Sequence, residues 1–358
     1  MQKTRTVLVT GGCGFIGANF VRLLRSNRPE WRLINLDKLT YAGNLNNLAG
    51  INEGPGYRFV RADIGDAVAV EALFAAEPID TVVHFAAESH VDRSITGPAA
   101  FIATNIGGTF TLLEAARKSW SGEERQDAGS RFLHISTDEV YGSLGEEGYF
   151  SETTAYDPRS PYSASKAASD HLVNAYFHTY GLPTLITNCS NNYGPYQFPE
   201  KLIPLIIHNA LQGRSLPVYG DGRNIRDWLY VGDHCEAVLE VLECGVPGRS
   251  YNIGGNNEKM NIEVVTLVCD ILDRRLGLPA TGMTRRSLIT FVKDRLGHDR
   301  RYAIDATRIR EELGWQPQVD FEQGIEMTVD WYLANQDWVA AVVDGSYKEY
   351  YRTMYGGN

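Results

Sequence analysis

The sequence predicts an α/β fold in which helices cover both faces of a doubly wound parallel sheet, with a smaller C-terminal lobe. Short apolar runs of strand length alternate with segments of helical periodicity through residues 1–190. Beyond residue 190 this alternation becomes irregular and loops rich in Asn, Pro and Gly appear. We therefore assign residues 1–190 to a first domain, to which segments near 225–255 return, and residues 191–358 mainly to a second.

Composition narrows the classes of function. A net charge of -10 over 358 residues argues against a nucleic-acid partner, which would need a basic surface. The five cysteines are odd in number and lack CxxC spacing, and the histidines form no metal-binding array, so free thiols and no metal are expected. No apolar run is long enough to span a bilayer. These features predict a cytoplasmic protein that has no membrane partner.

The first strand leads directly into a glycine-rich turn. Thr6–Thr10 is apolar and runs into GGCGFIG at residues 11–17, where glycine would let backbone N–H groups approach a pyrophosphate. A second strand, Arg32–Asp37, ends in an acid twenty residues after Gly17. A carboxylate there binds a ribose diol and repels a 2'-phosphate, so a Rossmann-type domain that prefers NAD to NADP is predicted. A packing turn at the glycines and a helix cap at Asp37 are the structural alternatives.

Further strands and a helix carry the pattern onward. Tyr57–Val60 and Thr81–Ala86 are predicted strands, the first leading to Asp63 and the second ending in small residues that would let a cofactor lie close. His84 alternates with apolar neighbours and is expected to be buried in the core. Phe101–Arg117 is predicted as one long crossover helix, on which Thr104 and Asn105 would brace the cofactor or bond to a neighbouring loop.

A polar cluster ends the next strand. The apolar run Phe132–Ile135 stops on Ser136, Thr137, Asp138 and Glu139, which a doubly wound sheet would place at the edge of the ligand crevice. Two adjacent carboxylates at a partly dry site repel each other, so one can remain protonated while the other is ionised. The alternative is an ordinary solvated turn after a strand.

A tyrosine and a lysine follow on a predicted helix. Tyr162 and Lys166 are four residues apart, which places both side chains on one face. An ammonium beside a phenol lowers the phenol pKa and makes it a usable base. A surface pair of the same spacing is the alternative.

The second half offers basic side chains among short predicted strands, at Leu216–Tyr219, Trp228–Val231 and Tyr251–Ile253. Arginine and lysine bind phosphate oxygens, but neighbouring Asp221, Asp227 and Asp299 make surface ion pairs an equal alternative. The basic residues expected in loops are Lys201, Arg223, Arg226, Arg295, Arg300 and Arg301.

These motifs resemble a known family. TGGCGFIG, the acid at Asp37 and the triplet of Thr137, Tyr162 and Lys166 resemble the extended short-chain dehydrogenases/reductases. TDEVYG is similar to the nucleotide-sugar 4,6-dehydratases, whereas sugar 4-epimerases usually lack the Asp-Glu pair. Members that act on dTDP-glucose are matched from about Thr6 to Asn335, by DKLTYAGN, ESHVDRSI, NNYGPYQFPEKLIP, IRDWLYV, YNIGG and GHDRRYAID. Leu296 departs from the proline that the family tends to have before GH.

The resemblance implies a seven-stranded sheet, an NAD cofactor, a dTDP-glucose substrate and a homodimer formed through the helices that begin near Pro98 and Pro161. The implied catalytic residues are Thr137, Asp138, Glu139, Tyr162 and Lys166. The implied cofactor contacts are Gly11, Gly14, Phe15, Ile16, Gly17, Asp37, Lys38, Leu39, Thr40, Asp63, Ile64, Phe85, Ala86, Ala87, Ser89, Thr104, Tyr162, Lys166 and Asn192. The implied substrate contacts are Ser89, Thr137, Asn191, Glu200, Lys201, Leu202, Pro217, Val218, Tyr219, Arg226, Asn261, Asp294, Arg295, His298 and Tyr302.

The expected reaction has three stages. Tyr162 takes the proton of the sugar 4-hydroxyl as C4 is oxidised, with Thr137 holding the oxygen. Glu139 then removes the C5 proton while Asp138 protonates the departing 6-hydroxyl. Hydride then returns to C6 and a proton returns to C5, which gives a 4-keto-6-deoxy sugar. The alternatives are a dehydratase for UDP-, CDP- or GDP-linked sugars, a 4-epimerase, and a non-catalytic NAD-binding regulator.

Overall fold

The chain forms one large parallel sheet and two small sheets. A computed structural model describes residues 4–121, 129–294 and 297–343. The strands in chain order are β1 (Thr6–Thr10), β2 (Arg32–Asp37), β3 (Tyr57–Arg61), β4 (Thr81–His84), β5 (Arg131–Thr137), β6 (Thr184–Cys189), β7 (Asn191–Tyr193), β8 (Leu216–Tyr219), β9 (Ile225–Tyr230), β10 (Ser250–Ile253), β11 (Glu258–Met260) and β12 (Ile289–Val292).

Helices connect these strands. In chain order they are α1 (Phe15–Asn27), α2 (Ala67–Ala76), α3 (Val91–Thr96), α4 (Pro98–Phe101), α5 (Thr109–Trp120), α6 (Pro161–Tyr180), α7 (Leu202–Leu211), α8 (Val231–Cys244), α9 (Asn261–Leu276), α10 (Thr307–Leu313), α11 (Phe321–Ala334) and α12 (Gln336–Val342). A π-helical stretch, Ile102–Gly108, joins α4 to α5, and a short 3-10 turn, Asp138–Tyr141, follows β5.

The seven-stranded sheet has the order β10-β6-β5-β4-β1-β2-β3, and every pairing in it is parallel. Side chains alternate between its faces. In β1, Val7 and Val9 belong to one core cluster and Leu8 to another, so the strand is buried on both sides. This confirms the predicted α/β fold with a doubly wound sheet.

The smaller lobe has its own core. β7, β9 and β11 form a three-stranded sheet, and β8 pairs with β12. Apolar residues of α7, α9 and α11 pack there around Tyr193, which is fully buried against Trp228 and Phe321. β7 directly follows β6 of the large sheet, so this lobe begins beside the carboxyl ends of the central strands.

Two predicted elements were wrong in their details. The helix expected over Phe101–Arg117 is interrupted by the π-helical stretch, because apolar spacing alone does not distinguish a π turn from an α turn. Arg226 was expected in a loop, but it lies in β9 and is buried, since that strand begins at Ile225 and not at Trp228.

Within the three described ranges, no helix is both long and apolar enough to cross a membrane. The same residues hold no group of three or more His, Cys, Asp or Glu side chains arranged to bind a metal ion. Each of the five cysteines is a free thiol, and four of them are buried.

Candidate active site

A cavity of about 320 Å³ opens at the carboxyl ends of the central strands. The turns after β1, β2, β4, β5 and β6 converge on it, as the topology of a doubly wound sheet requires. Helix α6 contributes Tyr162 and Lys166, and the segment between β7 and α7 contributes Glu200 and Lys201.

The glycine turn after β1 leaves no room for side chains. Gly11 has φ +72°, and a Cβ there would lie 2.7 Å from the backbone nitrogen of Ala86. A Cβ on Gly17 would lie 2.2 Å from the carbonyl oxygen of Gly11. Gly14 caps α1 and has no side chain to bond the first N–H groups of the helix. The turn therefore has the shape and dipole that a dinucleotide pyrophosphate requires.

Asp37 ends β2 inside the same cavity. Its carboxylate accepts hydrogen bonds from the backbone N–H groups of Cys13, at 2.9 Å, and Leu39, at 2.8 Å. It does not cap a helix, so the structural alternative for this residue is wrong. Lys38 forms a 2.6 Å ion pair with Asp63, the acid that follows β3. These acidic and hydroxyl-binding groups fit the adenosine ribose of NAD.

Asp138 and Glu139, which we call the acid pair, directly follow the end of β5. The Thr137 hydroxyl accepts a hydrogen bond from the backbone N–H of Glu139, at 3.3 Å, and so caps the 3-10 turn. Asp138 is only 2% exposed, whereas Glu139 is partly exposed. Burial, reinforced by the charge of Glu139, raises the pKa of Asp138 well above its usual range. The site therefore holds a buried carboxyl, which retains its proton more readily, beside a more solvated one, and the solvated-turn alternative is wrong.

The structure corrects the expected electrostatics of Tyr162. Burial, followed by the charge of Glu139, raises the pKa of Tyr162 well above its ordinary value, although a hydrogen bond with Thr137 lowers it. Lowering of that pKa was expected because only the neighbouring ammonium was considered. Lys166 is buried too, which lowers its pKa to about 8. The surface-pair alternative fails because both side chains lie inside the protein.

The side chain of Lys166 contacts β5 of the central sheet. The N-terminus of α6 is fixed by a capping box between Ser160 and Ser163, which sets the register of the helix. The Lys166 ammonium donates to the backbone carbonyl of Ile135, at 2.8 Å, and its Nζ lies 3.2 Å from Nε2 of His134. His84, in the adjacent strand, is buried between Thr10 and Thr109, consistent with the expected core position.

A second group of predicted residues lies in the smaller lobe. The guanidinium of Arg226 lies 4.3 Å from the ring centre of Tyr302. The positive charge of Arg226 lowers the pKa of Asp138, against the larger effect of burial. The rings of Tyr219 and His298 are 6.2 Å apart, and Nδ1 of His298 lies 2.6 Å from Asp294. Of these residues, Arg226 and Tyr302 border Asp138 and Glu139. Arg300 instead forms an ion pair with Asp221, at 2.8 Å, and Arg301 forms one with Glu258, also at 2.8 Å, so they follow the ion-pair alternative.

The structure brings most of the predicted residues to one cavity. Most residues predicted to bind the cofactor, to bind the substrate or to catalyse the reaction line this cavity. They are Gly11, Gly14, Phe15, Ile16, Gly17, Asp37, Lys38, Thr40, Asp63, Ile64, Phe85, Ala86, Ala87, Ser89, Thr104, Thr137, Asp138, Glu139, Tyr162, Lys166, Asn191, Asn192, Glu200 and Lys201. Others lie outside that lining, namely Leu39, Leu202, Pro217, Val218, Tyr219, Arg226, Asn261, Asp294, His298 and Tyr302. Arg295 and Leu296 are not among the described residues.

Some lining residues were missed. Glu88, Cys189, Ser190, Gln197 and Phe198 also face the cavity, as does Ser136, which was expected at its edge. Cys189 and Ser190 could have been found from their position at the carboxyl end of β6. Gln197 and Phe198 come from a loop, where residue type gives no comparable signal.

The chain is similar to proteins of known identity. The family described as GDP-mannose 4,6 dehydratase matches residues 8–328. The dTDP-glucose 4,6-dehydratase of Xanthomonas campestris pv. campestris (strain B100) is 61% identical, covering 96% of this chain and 97% of that protein. The dTDP-glucose 4,6-dehydratase of Streptomyces venezuelae, solved with NAD bound, superposes with a TM-score of 0.85 at 47% identity over 94% of this chain and 99% of its own.

A second solved structure agrees. The dTDP-glucose 4,6-dehydratase of Bacillus anthracis in complex with NAD has a TM-score of 0.83 and 46% identity, covering 95% of this chain and all of its own. Near-complete coverage in both directions extends the similarity to the smaller lobe as well as the glycine turn. The chain therefore belongs to the nucleotide-sugar 4,6-dehydratase family of the extended short-chain dehydrogenases/reductases.

Proposed function

We propose that this protein dehydrates dTDP-glucose to dTDP-4-keto-6-deoxyglucose, in the synthesis of deoxysugars, with NAD regenerated in each turnover. The observation that carries the proposal is the buried Asp138 carboxyl beside the partly exposed Glu139, in one cavity with Tyr162 and Lys166. An epimerase needs the tyrosine and lysine but has no use for an acid that protonates a leaving hydroxyl. The similarity to relatives named dTDP-glucose 4,6-dehydratase supports dTDP as the nucleotide.

The first domain would hold the cofactor. Gly11, Gly14 and Gly17 would leave room for the pyrophosphate, and Asp37 would bind the adenosine ribose. Bound NAD supplies the oxidising power, since it accepts hydride from sugar C4 and later returns it to C6. Asp37 would also disfavour NADP, because its carboxylate repels a 2'-phosphate.

Tyr162 would act first, as the base that takes the proton of the sugar 4-hydroxyl. Burial raises its pKa, so the phenolate requires a positive charge nearby. The Lys166 ammonium, which comes from the next turn of α6 and lines the same cavity, would supply it. The Thr137 hydroxyl, which already bonds to Tyr162, would hold the sugar oxygen in line with this base. The three side chains thereby remove one proton at one defined atom.

Elimination would then use the acid pair. Oxidation at C4 makes the C5 proton acidic, and Glu139 would accept it. Asp138 would donate its proton to the 6-hydroxyl, which leaves as water. The raised pKa of Asp138 supports this role because a general acid must carry its proton near neutral pH.

The second domain would bind the nucleotide sugar. Ser89, Asn191 and Glu200 line the cavity, and the Lys201 ammonium donates to the carbonyl of Ser89, at 3.1 Å, linking the two domains at its edge. Of the substrate contacts outside the lining, Arg226 and Tyr302 adjoin Asp138 and Glu139. Pro217, Val218 and Tyr219 would hold the base of the nucleotide, and the other expected substrate contacts in this part of the chain are Leu202, Asn261, Asp294, Arg295 and His298.

A homodimer would form through the surface made by α3, the π-helical stretch, α5 and α6. Ile95, Ile102, Phe110 and Tyr180 expose large apolar side chains there, with Ile102 and Phe110 each 49% exposed. Stable interfaces between subunits often bury apolar side chains of this kind.

We also propose a cytoplasmic location. The five cysteines are free thiols, which is typical of a reducing compartment.

Product analysis tests the proposed function. Purified protein with NAD is incubated separately with dTDP-, UDP-, CDP- and GDP-glucose, and product masses are measured. We expect loss of one water from the dTDP-sugar. An isomer of unchanged mass would indicate an epimerase, and bound NAD without turnover on any of the four sugars would indicate a non-catalytic protein.

A further inference from the structure

The Lys166 ammonium lies in an apolar interior, where a charge is costly unless an opposite charge compensates for it. Asp170 follows Lys166 by one turn of α6 and is fully buried. Its charge raises the pKa of Lys166, partly offsetting the effect of burial. Asp170 is therefore the nearest candidate for a compensating charge, and no step of the proposed reaction uses it.

His134 stands between the two. Its Nε2 lies 3.2 Å from the Lys166 ammonium and 3.3 Å from Oδ1 of Asp170. Burial lowers the pKa of His134 well below its usual value, so the ring is neutral and carries one N–H. If Nε2 accepts from the ammonium, the proton is on Nδ1 and the ring cannot also donate to Asp170.

The other oxygen of Asp170 is held firmly. Oδ2 accepts hydrogen bonds from the hydroxyls of Ser136, at 2.8 Å, and Tyr156, at 2.9 Å, and from the amide of Asn188, at 3.4 Å. Among the described residues, Oδ1 has no hydrogen-bond donor. One oxygen is thus fixed by three donors, while the other lies 3.3 Å from the histidine ring and the carboxylate acts on the lysine through its charge.

We infer that Asp170 is a positioning residue for the oxidation step, which acts through Lys166 by keeping its buried ammonium charged. The inference rests on the proposed function, because it requires that Tyr162 act as the base. It adds a buried carboxylate to the machinery, at a position that does not line the cavity.

The charged groups around Lys166 and Asp170 indicate how Asp170 affects the protonation of Lys166 and Tyr162. Lys166 is influenced by Asp170, Cys189 and His134, and Asp170 by Lys166 and its three donors. Tyr162 is influenced mainly by Glu139, Cys189 and Asp138. Burial raises the pKa of Asp170 to about 6, so it is ionised at neutral pH. Because Asp170 acts on the lysine more than on the tyrosine, it favours phenolate with ammonium over phenol with amine.

The pH dependence of a single turnover tests this inference. Enzyme loaded with NAD is mixed with excess dTDP-glucose, and the rate of cofactor reduction is measured across the pH range. In Asp170→Asn we expect the plateau rate to fall roughly tenfold, since one pKa unit is a factor of ten in the balance between the two forms. The midpoint of the rising limb should move acid-ward by about one pH unit, because removing a negative charge eases proton loss.

Tyr156→Phe is the comparison variant, since it removes one hydrogen bond that lowers the pKa of Asp170 but keeps the carboxyl group, and its midpoint should move less than that of Asp170→Asn. A lower plateau with an unmoved midpoint in Asp170→Asn would mean a merely structural role and overturn the inference. If that variant does not fold, as judged by NAD binding and thermal unfolding, Asp170→Ala is judged by the same midpoint. A wild-type protein that never reduces NAD would instead refute the proposed function.

Discussion

The two sides of the cavity are built from different parts of the chain. After β1, the backbone makes the site: Gly11, Gly14 and Gly17 contribute space and N–H groups, and almost no side chain takes part. After β5, side chains make it: Thr137, Asp138 and Glu139 place hydroxyl and carboxyl groups in a largely buried turn. A substitution in the glycine turn after β1 changes the shape of the cavity, whereas a substitution in the turn after β5 changes its charge.

This difference teaches that the two sides should fail separately. A defect in shape should prevent cofactor binding and weaken the fold, because there is no space for a new atom. A defect in charge should leave binding intact and stop one chemical step.

Loss of the acid pair should have the largest effect. In Asp138→Asn and Glu139→Gln we expect turnover to fall by about two to four orders of magnitude, the usual contribution of general acid or base catalysis. Cofactor reduction in a single turnover should persist, because Tyr162, Lys166 and Thr137 are unchanged. Absorbance of the reduced cofactor, followed after rapid mixing, measures this directly.

Isotope positions sharpen the same prediction. In deuterated water the wild type should place one deuterium at C5 and move the original C4 hydrogen to C6. Glu139→Gln should suppress exchange at C5, and Tyr162→Phe, as the matched control, should lose cofactor reduction itself. Deuterium at C6 in the wild-type product would contradict the assignment of these residues.

Gly17→Ala should disrupt the other side. Its new Cβ would lie 2.2 Å from the Gly11 oxygen, so the turn must move, at a typical cost of about 1–3 kcal/mol in the free energy of unfolding. NAD binding should weaken together with stability. Gly145→Ala is the control, because a Cβ there meets nothing within 4 Å. Denaturant unfolding and NAD titration measure both quantities, and equal values for the two variants would refute the role of shape.

Asp37→Ser should have a smaller, selective effect. Removing the carboxylate at the end of β2 removes the repulsion of a 2'-phosphate, so the preference for NAD over NADP should fall by about tenfold, or 1.4 kcal/mol. Binding of both dinucleotides by calorimetry measures the ratio. A wild-type protein that binds NADP more tightly than NAD would contradict the assignment.

Asp138→Asn should also stabilise the protein slightly. The pKa of Asp138 is raised in the folded state, so the protonated carboxyl contributes to the free energy of unfolding. That contribution is complete below the unfolded-state pKa of about 3.9 and is lost as pH rises through the folded-state pKa. At neutral pH the neutral amide should therefore be more stable by about 1 kcal/mol, and the difference should disappear in acid. Unfolding at several pH values tests this, and a variant less stable than wild type at neutral pH would contradict it.

The sequence predicted the backbone-built side well, because a glycine that must fit a tight turn follows a strand at a fixed spacing. It also placed Asp138 and Glu139, since the polar cluster ends an apolar run. It did not predict the environment of Lys166, because His134 and Asp170 meet only after β5 and α6 pack together. The direction of the Tyr162 pKa was wrong for the same reason, since burial belongs to the folded chain and not to the YxxxK spacing.

The position of β10 bears on how the protein is made. This strand, Ser250–Ile253, is the outer neighbour of β6 in the central sheet, although sixty residues lie between the two in sequence. A nascent chain that ends near residue 190 would therefore present β6 as a bare sheet edge, a surface prone to pairing with other chains. Synthesis must pass Ile253 before that edge is covered, so the first domain should complete its fold late in translation, when much of the second has already emerged.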